Sequence, residues 1–178
     1  MTISGMTFMV IVLIVLLVAI AAGWAYQTAN RLDRLNVRVD LAKQSLEAAL
    51  ARRSVVARAI AAGMSYSSVD GTRASGRELA AAADRAEHAP PEYREEAENA
   101  MSAVLARTDT ESRPPALVVE LADAETRVMM ARRFYNDAVR DTRNLATRRP
   151  VRWLRLGGTA ELPTYFEIIE RITPANPG

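Results

Sequence analysis

The sequence predicts an all-α protein in which an N-terminal transmembrane helix is followed by an elongated antiparallel helical bundle. Three observations support this fold class. The first 30 of the 178 residues carry no charged side chain, although charged residues make up 25% of the chain. Two long stretches repeat apolar residues at alternating steps of three and four, as helices that pack lengthwise do. No stretch alternates polar and apolar residues for long enough to indicate a strand.

The N-terminal segment, 1–26, contains the transmembrane helix, predicted over about 6–26. This stretch is apolar apart from Thr7 and Gly23, and as a helix it spans about 31 Å, close to the ~30 Å hydrocarbon core of a bilayer. Aromatic side chains at its end suit the headgroup region. A signal peptide cleaved near 19–21 is the alternative. The absence of a basic residue before the apolar run, and the length of that run, argue against it.

The charges that flank the apolar stretch predict its orientation. No Lys or Arg precedes it, whereas Arg31 and Arg34 follow it closely. Because basic side chains are retained on the cytoplasmic side, we expect a single-pass protein of the cell membrane with its N-terminus outside and its C-terminal body in the cytoplasm. The residues expected at the membrane interface are Trp24, Tyr26, Arg31 and Arg34.

The helical bundle is predicted over 27–147, beginning with a helix at about 27–62. This helix carries a stripe, with steps of three and four, from Leu32 to Ile60. Arg53 is the one charged member of the stripe. Such a pattern is typical of a helix that packs along another helix.

Two shorter helices are predicted in the middle of the chain. The second helix, about 75–88, opens with the capping-box pattern Ser75-Gly76-Arg77-Glu78. The third, about 91–107, follows Pro90-Pro91. Two alternatives stay open at these prolines. A tight corner would lead the fourth helix back towards the membrane, and a kink within one long helix would lead it away.

The fourth helix, about 113–147, has the most regular pattern in the chain. Its stripe runs from Leu117 to Leu145 with steps of three and four throughout. We therefore expect Leu121, Val128 and Tyr135 to be buried.

Charge separates the bundle into segments. Residues 31–77 and 126–178 each carry a net charge of +5, and residues 78–125 carry −8. This pattern favours basic outer helices packed antiparallel on acidic middle ones. The overall net charge is only +2, so no nucleic-acid partner is expected.

The C-terminal segment, 148–178, is basic and aromatic, and a short helix is expected within it at about Tyr165–Ile172. Near its start, four arginines surround one tryptophan, an arrangement with two interpretations. The segment touches an anionic membrane surface, or it caps the end of the bundle with Trp153 and Leu154 buried. The candidate surface residues are Arg148, Arg149, Arg152, Trp153 and Arg155.

Composition limits the chemistry available to the chain. It has no cysteine and a single histidine, His88, so disulfides, thiolate sites and a histidine pair for a metal are excluded. We predict no catalytic residue, no cofactor and no metal site, and hence no enzyme. One run of carboxylates offers the oxygen ligands that Ca²⁺ or Mg²⁺ takes, but without a loop to wrap the ion it is interpreted as a solvated helix face. The run comprises Glu92, Glu95, Glu96 and Glu98.

Three segments resemble one family. Residues 131–140, with the sequence ARRFYNDAVR, are similar to the signature near the end of the last long helix in the LemA family. Residues 30–40 resemble the start of that family's first soluble helix, and 161–167 its closing segment. The resemblance is that of a divergent member, since Lys43 stands where members commonly have tryptophan. The signature positions are Arg132, Arg133, Tyr135, Asn136 and Asp137.

The resemblance implies a membrane-anchored helical bundle whose biochemical activity is poorly defined, and it supplies no catalytic residues. We therefore expect a non-catalytic interaction or scaffold module on the cytoplasmic face of the membrane. Its expected partners are the lipid bilayer and other membrane or cytoplasmic proteins. The alternative is an accessory subunit of a larger membrane complex, such as a respiratory-chain assembly. A hydrolase or a sensor with a ligand pocket has almost no support.

Overall fold

The structure, a computed structural model, describes residues 5–158 and 161–168. Every regular element within these residues is a helix, which confirms the all-α class. The long elements are α1 (Gly5–Ser65), α2 (Asp70–His88), α3 (Arg94–Arg107) and α4 (Pro115–Ala146). A 3₁₀ turn over Pro91–Tyr93 precedes α3, and the short helix α5 (Arg149–Trp153) follows α4.

Helix α1 joins the predicted transmembrane stretch to the first bundle helix without a break over 61 residues. It is the one described helix long and apolar enough to cross a membrane. Its most apolar window has a mean hydropathy of 2.9, and no part of that window is buried. Trp24, Tyr26, Arg31 and Arg34 are all exposed. An exposed apolar surface of this size in water is unfavourable, so it requires a cover of lipid or protein.

The chain divides into two compact units. The first comprises Met1–Leu41 and Asp137–Thr164, and the second comprises Ala42–Asn136 and Tyr165–Gly178, each as far as the structure describes them. Helices α1 and α4 therefore contribute residues to both units.

The core of the second unit is built by the two predicted stripes and the helices between them. Val56 and Ile60 of α1 lie in one buried cluster with Leu79 of α2, Met101 of α3 and Leu121 of α4. The expectation for α4 is confirmed, since Leu121, Val128 and Tyr135 are all buried. Small residues bring the helices close together in this core; they include Ala57, Ala61, Ala82, Ala83, Ala86 and Ala124.

The two prolines form a corner between α2 and α3. Helix α2 ends at His88, and α3 packs against it. At the corner, the Arg94 guanidinium donates to the carbonyl oxygens of Ala86 and Glu87 at 2.9 and 2.8 Å. These carbonyls lie in the last turn of α2, where backbone acceptors lack helical partners. At the other end of the helix pair, Arg107 bonds to Glu78 at 2.6 Å.

Helix α2 begins earlier than the capping box predicted. Its first residue is Asp70, whose carboxylate pairs with Arg73 and lies where the helix dipole favours negative charge. Ser75 is inside the helix, and its hydroxyl donates to the carbonyl of Gly71 at 3.1 Å. The predicted cap at Ser75 is therefore wrong, because the helix already has a favourable start five residues before it.

In the first unit, the end of α4 and the residues after it pack on α1 just beyond the apolar stretch. Leu32 of α1, Leu145 of α4 and Val151 of α5 form a small buried cluster. Arg38 and Asp141 form an exposed ion pair beside it at 3.3 Å. The last part of α4 therefore lies next to the α1 segment that follows Tyr26.

Candidate functional site

Residues 148–156, here called the basic segment, are shaped by the short helix α5. Val151 is 1% exposed and joins the core, whereas Trp153 is 87% exposed. Residues two apart on a helix point in different directions, so burying Val151 turns Trp153 outwards. Leu154 is also exposed. The predicted cap with Trp153 and Leu154 buried is wrong, because Val151 takes the core position in their place.

The turn after α5 fixes this arrangement. The backbone N–H of Leu156 donates to the Val151 carbonyl at 3.0 Å, and the N–H of Arg155 donates to the Arg152 carbonyl at 3.2 Å. The backbone of Arg155 lies in the left-handed region, with φ of 50°. Together these features form a Schellman motif, in which the residue after the turn packs back on the helix. Leu156 accordingly packs against the Val151 cluster.

The basic segment is a region of uncompensated positive charge. Its four arginines are all exposed. No acidic residue occurs between Asp141 and Glu161. Across 5–158 and 161–168, no ion pair joins any of the four to a carboxylate; they are Arg148, Arg149, Arg152 and Arg155. This surface is therefore suited to binding anions.

The signature run on α4 holds the closing segment in place. In the second unit, the Asn136 amide donates to the Phe166 carbonyl at 3.0 Å and accepts from the Phe166 N–H at 2.9 Å. The N–H of Glu167 donates to the Glu95 carboxylate at 2.9 Å. Residues 161–168 belong to no helix or strand. The N–H and carbonyl of Phe166 and the N–H of Glu167 are instead satisfied by side chains of the helices.

The expected tail helix over Tyr165–Ile172 is not present in 165–168, and residues 169–172 lie outside the described part of the chain. The short helix in the C-terminal segment is α5, nearer its start. The clamp by Asn136 explains the difference, since it engages the N–H and the carbonyl of Phe166, which a helix would use for its own hydrogen bonds.

The other signature positions have structural surroundings. Tyr135 is buried, and this burial raises the pKa of its hydroxyl. Asp137 pairs with Arg140 at 3.0 Å in the first unit. Arg132 is half-buried and Arg133 is exposed. Within this run, Tyr135 therefore serves packing and Asn136 serves attachment of the closing segment.

A buried ion pair lies in the second unit where the sequence indicated a solvated face. Arg53 donates to the Glu98 carboxylate at 2.7 Å, and their side chains are 6% and 0% exposed. The Arg53 guanidinium also donates to the Glu98 carbonyl and to the Ser102 hydroxyl, both at 3.2 Å. Glu98 is therefore a core residue, and its interpretation as part of a solvated face is wrong.

Two signals in the sequence pointed to this pair. Arg53 interrupts the apolar stripe of α1 at a position that must face another helix. Glu98 precedes Met101 by three residues and Leu105 by seven, so it shares their buried face. Each exception thus marks a charged side chain on a buried helix face, although neither identifies the partner.

Three buried polar atoms at this pair lack a hydrogen-bond partner. They are Arg53 Nε, Ser54 Oγ and Glu98 Oε1. Burial raises the pKa of Glu98, and the nearby charges of Arg53 and Arg94 oppose that rise. Burial likewise raises the pKa of Glu125, which lies close enough to Arg53 to interact electrostatically. Because folding removes such a carboxylate from water, its charged form depends on the arginine partner for stabilisation.

Helix α4 also carries exposed apolar side chains in the second unit. Met130 and Phe134 are four residues apart and share one face, and Phe134 is 59% exposed. Among the described residues, no group of three or more His, Cys, Asp or Glu side chains is placed to hold a metal ion. The candidate functional surfaces are thus the basic segment and this apolar face.

Comparison with known proteins yields no match: no protein-family model fits the chain, and neither a curated protein nor a solved structure is detectably similar to it.

Proposed function

We propose that the chain is a LemA-like, single-pass membrane protein that acts as a non-catalytic interaction or scaffold module on the cytoplasmic face of the membrane. Helix α1 carries this proposal. Its N-terminal part is apolar and exposed on all sides, and the same helix continues unbroken to Ser65. Lipid is the solvent that such a surface fits, since a helix satisfies its own backbone hydrogen bonds.

We further propose that the helices after the anchor form an antiparallel bundle. Two contacts within the second unit support this arrangement. Arg52 of α1 pairs with Glu120 of α4 at 3.1 Å. Further along α1, Gly63 lies against Pro114, just before α4 begins, so closely that an added Cβ would be 2.7 Å from the proline ring. Rising numbers on α1 are therefore matched by falling numbers on α4.

The apolar face of α4 favours a protein partner. Met130 and Phe134 contribute exposed apolar area on a helix whose opposite face is buried. Exposed apolar clusters on a folded surface commonly mark interaction sites. The alternative is that the chain is an accessory subunit of a larger membrane complex, in which it would be present at a fixed ratio to its partners.

The double substitution Met130→Glu/Phe134→Glu is expected to reduce co-purification of the bound protein at least tenfold, because two charges would be desolvated at the contact. The measurement is affinity purification from detergent-solubilised membranes, with quantitative mass spectrometry of the associated proteins. The matched control is Tyr66→Glu, at an exposed aromatic residue in the connection between α1 and α2. A partner that co-purifies with the unmodified chain at a fixed ratio would favour the accessory-subunit alternative. Unchanged recovery of the partner with the double variant would contradict the proposed face.

The absence of cysteine allows the orientation to be tested with single introduced thiols. Tyr66 is 91% exposed, so a Tyr66→Cys variant should react with a membrane-impermeant maleimide only after cells are permeabilised. A Thr2→Cys variant should react on intact cells. The reverse pattern would contradict the proposed orientation. A mature chain that has lost the label at position 2 and is found outside the membrane would indicate a cleaved signal peptide.

A further inference from the structure

We propose that the basic segment docks onto the anionic lipid headgroups of the leaflet from which α1 emerges. This inference rests on the membrane anchor proposed above. It adds a second contact with the bilayer, made by side chains that are not buried within the chain. Three features support it: the position of the segment along α1, its exposed side chains and its charge.

The packing of the first unit sets the height of the basic segment. Val151 lies in one cluster with Leu32, and a Cβ added at Gly157 would lie 3.2 Å from Leu32 Cδ2. Leu32 follows Tyr26 by six residues, which is about 9 Å along a helix. The headgroup region is itself about 5–8 Å thick on each side of a bilayer. With Tyr26 at the edge of the hydrocarbon core, the segment lies at the outer boundary of the headgroups.

The exposed side chains match the chemistry of that boundary. Trp153 and Leu154 point away from the cluster that buries Val151. Tryptophan is favoured at membrane interfaces because its ring is apolar and its N–H is polar. The Schellman turn holds this geometry, since it returns the chain to the core at Leu156. The indole ring is therefore presented outwards by a fixed backbone.

The charge of the first unit favours an anionic surface over a neutral one. This unit contains nine arginines and five acidic residues. The arginines of the basic segment form no ion pair with a described carboxylate. The cytoplasmic leaflet is negatively charged, and each basic residue near it strengthens binding about fivefold. At the outer boundary of the headgroups, the segment lies within one Debye length of about 8 Å of the charged surface at physiological salt, so this attraction persists.

Trp153 fluorescence provides a direct test. The chain has two tryptophans, so a Trp24→Phe variant of the full chain reports Trp153 alone. It would be reconstituted into phosphatidylcholine vesicles with or without phosphatidylserine, with acyl chains brominated close to the headgroup. We expect a blue-shifted emission and strong quenching in the anionic vesicles, and weak quenching in the neutral ones. Added salt should reverse the quenching.

Charge-matched variants separate a local contact from the overall charge of the chain. Removing three arginines of the basic segment should lower the ratio of docked to undocked Trp153 about 100-fold. The control removes three exposed arginines of the second unit and should leave the quenching unchanged. The test variant is Arg149→Gln/Arg152→Gln/Arg155→Gln, and the control is Arg77→Gln/Arg85→Gln/Arg133→Gln.

A second reporter distinguishes failure of the docking from failure of the anchor. In a Trp153→Phe variant, Trp24 alone reports insertion of α1. Quenching of Trp24 without quenching of Trp153 overturns the docking and leaves the anchor in place, whereas the absence of both overturns the anchor. Equal quenching of Trp153 in neutral and anionic vesicles overturns the role of charge. A blue shift that depends on protein density in the vesicles, without quenching, means that another copy of the chain covers Trp153.

Discussion

Replacing Glu98 by alanine is expected to lower the free energy of unfolding by about 3–5 kcal/mol. The substitution leaves the Arg53 guanidinium buried without its counter-charge, although its side chain is only 6% exposed. Desolvation of an unpaired cation is the source of the cost. The measurement is denaturant unfolding of the full chain in mild detergent, followed by far-ultraviolet circular dichroism.

Two control variants make the cause of this loss visible. Glu78→Ala breaks the ion pair with Arg107, which at 2.6 Å is as short as the Arg53–Glu98 pair but has side chains 62% and 54% exposed. This substitution should lower the free energy of unfolding by less than about 1 kcal/mol. The double variant Arg53→Met/Glu98→Leu should recover most of the lost stability, because it removes both charges of the buried pair together. Equal losses for Glu98→Ala and Glu78→Ala would contradict the importance of burial.

The same carboxyl group gives the stability a distinctive dependence on pH. Because burial raises the pKa of Glu98 above its ordinary value of 4.5, the folded state keeps this proton at pH values where the unfolded state has released it. The proton that Glu98 retains on folding therefore stabilises the folded state fully below pH 4.5, and this pH-dependent stabilisation is lost as pH rises through the folded-state pKa. Glu98→Gln, which does not titrate, should lack this part of the slope.

The double substitution Leu13→Arg/Leu16→Arg is expected to remove the chain from the membrane fraction. Each arginine near the middle of a membrane helix costs about 2.5–3.5 kcal/mol for insertion, so the pair costs about 6 kcal/mol. The measurement is the distribution of the protein between membrane pellet and supernatant after carbonate extraction. Val119→Arg is the matched control, since Val119 is an exposed apolar residue in the second unit. Retention of the double variant in the pellet would contradict the anchor.

The stripes of α1 and α4 were the most predictable part of the fold. Their steps of three and four repeat over many turns, so errors at single positions average out, and the structure buries Leu121, Val128 and Tyr135 as expected. The start of α2 was less predictable. Ser75 and Glu78 fit a capping box, but nothing local distinguishes a cap from the interior of a helix that begins at Asp70.

The contacts that cross between elements were the least predictable. Glu98 stands among acidic neighbours, so its burial depends on Arg53, 45 residues away. The outward position of Trp153 depends on Val151 meeting Leu32, which are distant in sequence. Periodicity within a helix gives the buried face, but it does not give the partner of a charged residue on that face.

The continuity of α1 determines how the proposed membrane anchor is joined to the rest of the first unit. No glycine or proline occurs between Gly23 and Gly63, and the helix has no break where the apolar stretch ends. A flexible tether would let the residues beyond the bilayer swivel independently of the anchor. Here, rotation or tilting of the anchor turns Leu32 and the side chains packed on it by the same angle. In the proposed membrane setting, the anchor and the rest of the first unit therefore move together as one rigid body within the lipid.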